Sequence, residues 1–176
     1  MWNPIHRILA ITGLAFVLVG CAALQPDSQP NWGETDLLSS PQLLLNPTFD
    51  PQSVTLGGVR LGDDESVIDQ RAVQNRTAEG WLRLRNRQYR VMDGKVVTLG
   101  LWDARALATF QIESPEQIEE VFGRPAEIVD VRRVLFYRYP NRGVTVMWNT
   151  FERKVSAINV MPLGFDPATQ PTLTYE

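Results

Sequence analysis

The apolar residues of this 176-residue chain fall into three successive patterns. Residues 8–19 form an almost unbroken apolar run. Residues 22–53 mix prolines with two leucine clusters, Leu37-Leu38 and Leu43-Leu44-Leu45, set apart by Ser39-Ser40-Pro41. From Val54 onward the apolar positions become periodic, in stretches with strand spacing and stretches with helix spacing.

The periodic part makes the same statement twice. Val54-Thr55-Leu56-Gly57-Gly58-Val59-Arg60-Leu61 is extended and runs into Asp63-Asp64-Glu65, a helix start. Val67 and Ile68 then open a short apolar helical face reaching towards Arg71 and Ala72. Residues 81–92 and 95–102 flank Asp93-Gly94, the pair favoured in a type I′ hairpin turn because both central positions take positive φ.

The second half opens with residues 106–112 and enters Ser114-Pro115-Glu116-Gln117. Ser114 is the expected N-cap, Pro115 suits the first helical position, and Gln117 reaches back to close a capping box. Ile118, Val121 and Phe122 form an apolar stripe, Gly123 supplies the stop and Pro125 prevents continuation. Strands are expected over residues 128–139, 143–148 and 154–161, with turns at Pro140-Asn141-Arg142 and residues 149–153. The predicted fold is α+β: tandem units of a short helix plus an antiparallel hairpin, forming one sheet with helices packed on one face.

The apolar run at residues 8–19 covers about 18 Å as a helix, short of the roughly 30 Å of a bilayer core. It fits the core of a secretory signal better than a membrane span, although Arg7 is the one fixed positive charge before it. The run ends in Leu18-Val19-Gly20-Cys21, which resembles a bacterial lipobox. That resemblance implies a signal peptide over residues 1–20 and a lipidated Cys21 opening the mature chain. Two or three acyl chains there would hold the protein stably at a membrane. Ala22, by the same resemblance, permits delivery to an outer membrane.

Residues 21–53 hold five of the twelve prolines and read as a Pro-rich tether. Five leucines are many for a solvated linker, so this segment either packs on the domain or docks elsewhere. Residues 54–161 form the two-unit domain, and residues 162–176 a mobile tail.

Composition narrows the chemistry. Net charge is −3, and loss of Arg7 with the signal leaves 16 basic against 20 acidic residues, which argues against general nucleic-acid binding. The one histidine, His6, lies in the signal, and the one cysteine is the lipidation site. A mature chain without either has no Ser-His-Asp or Cys-His nucleophile and none of the usual zinc ligands. Carboxylate chemistry alone survives this filter. No enzyme activity, cofactor or metal is expected.

Two unusual features offer a binding site. In Trp81-Leu82-Arg83-Leu84-Arg85-Asn86-Arg87-Gln88-Tyr89-Arg90, a single strand would align Trp81, Arg83, Arg85, Arg87 and Tyr89 on one face. Three guanidinium groups in line would grip carboxylates or phosphates. Alternatively they cover an outward sheet face and pair with neighbouring acids. Trp148, beside a turn, is the other candidate contact; most of the other aromatics read as core.

The run Ser114-Pro115-Glu116-Gln117-Ile118-Glu119-Glu120-Val121-Phe122-Gly123-Arg124-Pro125, with strands after it, resembles the BamE (SmpA/OmlA) lipoproteins and the related β-lactamase-inhibitor-protein fold. Leu61-Gly62-Asp63-Asp64-Glu65-Ser66-Val67 is similar, without a Gly-x-Pro after it. The resemblance covers residues 54–161, and implies a non-enzymatic envelope lipoprotein binding another protein. True BamE proteins usually have one such unit, whereas two are expected here. The alternative is a module for an anionic envelope polymer or lipid, held by the arginine face.

Overall fold

The computed structural model describes residues 33–165; the predicted signal, Cys21 and most of the predicted tail lie outside them. Eight strands form one antiparallel sheet: β1 Asn75–Arg76, β2 Trp81–Arg83, β3 Arg87–Met92, β4 Lys95–Leu101, β5 Glu127–Val131, β6 Val134–Tyr139, β7 Val144–Asn149 and β8 Lys154–Val160. Their order is β1-β2-β3-β4-β8-β7-β6-β5, so two four-stranded meanders meet where β4 pairs with β8. With the helices α1 (Ala104–Ala108) and α2 (Pro115–Phe122), the class is mixed α+β.

Local chemistry accounts for the best-formed elements. Met92 pairs with Lys95 around Asp93 (φ 51°) and Gly94 (φ 74°), the doubly positive geometry that the Asp-Gly pair predicts. In α2, Gln117 Oε1 accepts from the backbone N–H groups of Glu113 (2.6 Å) and Ser114 (3.2 Å), and Pro115 occupies the first turn. Gly123, at φ 84°, ends the helix with its N–H on the Glu119 carbonyl. The stripe is as expected: Ile118 and Phe122 are buried, and Val121 packs beside them.

Three expected elements differ. Residues 81–92 are two strands, not one, because the chain turns at Leu84-Arg85-Asn86, where Leu84 N–H bonds to the Arg87 carbonyl (2.8 Å) and its side chain enters the core. Residues 128–139 likewise fold into β5 and β6 around Arg132 (φ 60°) and Arg133. Neither turn contains glycine or proline, so neither announces itself. The first expected helix is only two 3-10 turns, Glu65–Val67 and Gln70–Ala72. There the Asp69 carboxylate takes the Arg71 N–H (3.0 Å), a local bond that competes with helix formation, and Val67 stays exposed.

The segment read as a tether belongs to the fold from at least Asp36. Leu37 and Leu44 are fully buried, and Leu38, Leu43 and Leu45 pack against the same core. The buried Asp36 carboxylate fastens it: it accepts from Leu38 N–H (2.9 Å), Thr55 Oγ1 (2.8 Å) and Gly58 N–H (2.9 Å). Leu37 N–H adds a bond to the Thr55 carbonyl (2.9 Å). Arg142 holds the other side, donating to the carbonyls of Phe122 (2.9 Å) and Leu44.

Tyr89 ties this covering to the sheet. Its hydroxyl donates to the Leu56 carbonyl (2.6 Å) and accepts from Arg87 Nε (2.8 Å), with the side chain wholly buried. Tyr89→Phe strands two partners, so urea unfolding should show a loss of about 1–3 kcal/mol.

Burial pushes the Tyr89 hydroxyl up to about 12 against the pull of Arg87; burial and the Glu119 charge do the same for Tyr139. Both ionise more readily in the unfolded chain, from an ordinary 10. Stability should hold below pH 10 and fall as pH rises from 10 through 12. Phenolate absorbance should therefore lag and then rise together with loss of the far-ultraviolet dichroism signal.

Candidate binding face of the sheet

Residues directly opposite each other on antiparallel strands share a face, so register alone defines rows across the sheet. One row crosses all eight strands. Asn75 faces Arg83, Arg83 faces Gln88, and Gln88 faces Gly100. Gly100 faces Asn159 across the central join; Asn159 faces Thr145, Thr145 faces Arg138, and Arg138 faces Glu127. Apart from Gly100, every side chain in it is polar.

The alternate residues Tyr89, Leu99, Val160, Val144 and Tyr137 belong to the single hydrophobic core cluster. The polar row therefore occupies the other face. Trp81, Met147, Ala157 and Met161, which share its parity, are buried yet lie outside that cluster.

Gly100 sets the row's centre. A Cβ there would stand 2.4 Å from Gln88 Cγ and 3.0 Å from Asn159 Oδ1, so its absence makes room for both amide side chains. Aromatic rings and guanidinium groups flank them. Arg83 lies 5.8 Å from the Trp102 ring centroid, and Arg90 lies 5.9 Å from that of Trp81. At the β5 edge, Arg138 pairs with Glu127 at 2.8 Å. A depression of about 220 Å³ opens there, lined by these two, Thr145, Met161 and Phe165 among others.

The electrostatic character of the face is one of unmet donors. Trp81 Nε1, Arg83 Nε, Trp102 Nε1 and Arg138 Nε are buried donors without a hydrogen-bond partner, and Asn159 Oδ1 is an acceptor in the same condition. Such atoms cost about 1–3 kcal/mol each when left unpaired. The acids Asp63, Asp64 and Glu65, by contrast, are engaged: with Arg60 N–H (2.8 Å), with Lys95 (2.9 Å) and with Arg76.

Of the residues expected to form a site, only Trp81 and Arg83 lie on this face. Arg85 is exposed in the β2–β3 turn, and Arg87 is half-buried on the core side, bonded to Tyr89 and to Asn86 Oδ1 (2.9 Å). Tyr89 is fully buried and Trp148 is core at 2% exposure, and Trp81, Gln88 and Thr145 are buried as well, which leaves Asn75, Arg83, Asn159, Arg138 and Glu127 as the accessible members of the row. The expected line of three guanidinium groups does not form, because its residues do not share a strand. Gln88, Gly100, Asn159, Thr145 and Arg138 were missed. Their signal is present as polar residues at alternate positions of otherwise apolar strands.

No protein-family model and no curated protein matches the chain. Among solved structures, it is similar to the crystal structure of a DUF4309 family protein, YjgB, from Bacillus subtilis, at 8% identity and a TM-score of 0.36. The match spans 51% of this chain and 62% of that one, a likeness too slight to carry a functional argument.

Core and surface positions should separate cleanly in denaturation experiments. Trp148→Ala should cost about 3–5 kcal/mol, as expected for a large core aromatic. Arg85→Ala should stay within about 0.5 kcal/mol of the unaltered protein.

Proposed function

We propose that this protein is a lipid-anchored component of a bacterial envelope that binds another protein through the polar face of its sheet and catalyses no reaction. The polar row across eight strands carries this reading. Eight strands at about 4.8 Å spacing span roughly 34 Å, a width suited to a standard interface of about 800 Å² per partner. The Trp and Arg side chains flanking the row are residue types enriched at such interfaces.

In this reading the two meanders are tandem units, each a helical segment followed by four antiparallel strands. Supporting this, the 3-10 turns Glu65–Val67 and Gln70–Ala72 lead directly into β1, and two α-helices lead into β5. Ala106, Leu107, Ile118 and Phe122 join the core cluster, which supports helices packed on the face opposite the row. Leu18-Val19-Gly20-Cys21 supports the anchor at Cys21, behind a signal peptide over residues 1–20, and hence an envelope location.

The two half-buried cations of the row support a second reading, in which the same face grips an anionic envelope polymer or lipid through Arg83 and Arg138. Capture from solubilised envelopes, followed by mass spectrometry, separates the two. An Arg83→Glu/Arg138→Glu variant should lose about tenfold or more of a specific co-purifying protein while its dichroism spectrum at the capture temperature stays that of the folded chain, although loss of the Arg138–Glu127 pair lowers its unfolding midpoint. A Cys21→Ser variant run alongside separates loss of anchoring from loss of binding. Recovery of a polymer alone, with steep salt dependence, would favour the second reading. Protein recovery untouched by the charge reversal would defeat the first.

A further inference from the structure

Two turns at one end of the sheet form a single projecting tip. The β5–β6 turn holds Arg132 and Arg133 between Val131 and Val134, and the β7–β8 turn spans residues 150–153 between Asn149 and Lys154. Val134 pairs with Asn149, so the turns are neighbours. Thr150 locks them together, donating its N–H (2.8 Å) and its hydroxyl (3.0 Å) to the Arg133 carbonyl. Within the second turn, Asn149 Oδ1 accepts from the N–H groups of Phe151 (3.0 Å) and Glu152 (2.9 Å). The tip is therefore held by its own hydrogen bonds.

Its chemistry is that of an amphipathic probe. Phe151 is 75% exposed, the most exposed large hydrophobic among the described residues, with Arg133 positioned 5.3 Å from its ring centroid. Val131 beside it is 38% exposed. The turns and the strand ends beside them, residues 130–134 and 150–154, carry four cations, Arg132, Arg133, Arg153 and Lys154, against two acids, Asp130 and Glu152, the latter paired with Lys154 at 3.0 Å. In a chain of net charge −3 this is a local reversal of sign.

We propose that this tip is a membrane contact: Phe151 enters the interfacial zone of an anionic bilayer while the surrounding arginines reach its headgroup phosphates. A bilayer interface accepts an aromatic ring with cations beside it, since the long stems let the charges remain at headgroup level. Negative headgroups complement the cationic turns, and that attraction is screened by salt. A fluid bilayer surface can receive two hairpin turns without the fixed shape complementarity that a protein interface requires. This contact uses neither Cys21 nor the polar row, so it stands or falls independently of them.

The test uses residues 22–176, which contain every member of the core cluster among the described residues, so that no acyl chain contributes. Co-sedimentation with phosphatidylglycerol vesicles is compared with phosphatidylcholine vesicles. Binding is expected to phosphatidylglycerol, about tenfold weaker to phosphatidylcholine, and weakened by added salt. Phe151→Ser and Arg133→Ala/Arg153→Ala should each lower phosphatidylglycerol binding about tenfold, with far-ultraviolet dichroism unchanged because these side chains are exposed. Failure of the unaltered chain to bind phosphatidylglycerol, or equal binding by both variants, would overturn the proposal.

Discussion

Three registered pairs join the two halves of this sheet: Leu99 with Val160, Gly100 with Asn159 and Leu101 with Ile158. On one side of this short join stand Leu99, Leu101, Ile158 and Val160, all fully buried in the core. On the other stand Gly100 and Asn159, where the polar row crosses from one meander to the other. A shift of one residue would exchange the faces, sending apolar side chains out and amides into the core. The same pairing therefore fixes the hydrophobic interior and the continuity of the candidate binding surface.

What lies over the core side depends on polar fastening as much as on burial. Leu37 and Leu44 reach the interior from a proline-rich segment that forms no regular sheet of its own. Asp36, Tyr89 and Arg142 secure it through buried or half-buried hydrogen bonds to backbone groups. Each is directed at a carbonyl or N–H that regular secondary structure leaves unmet, which is why irregular chain can be buried here at tolerable cost. The far face differs in kind, since its register row is polar from edge to edge, and that difference is the basis for proposing recognition there.

The sequence carried the elements whose causes are local. Asp93-Gly94 specifies its turn through backbone conformation, and Ser114-Pro115-Glu116-Gln117 through Gly123 specifies where α2 starts and stops. Turns built from Leu84-Arg85-Asn86 and Arg132-Arg133 carry no such signature, so two hairpins read as two long strands. That error placed Arg83, Arg85, Arg87 and Tyr89 on an imagined common face. The true row was not legible because it depends on register between strands far apart in sequence, above all β4 against β8. Alternating polar residues such as Thr145 within a largely buried strand marked a second face, but not which residues met across it.

The most direct measurement is site-specific photocrosslinking in intact cells, with a photoreactive residue at Arg83 or Asn159 on the row and at Glu119 on the exposed side of α2. If the sheet face is the recognition surface, Arg83 and Asn159 will yield the same envelope protein and Glu119 will not. Crosslinks from Glu119 with none from either row position would contradict it.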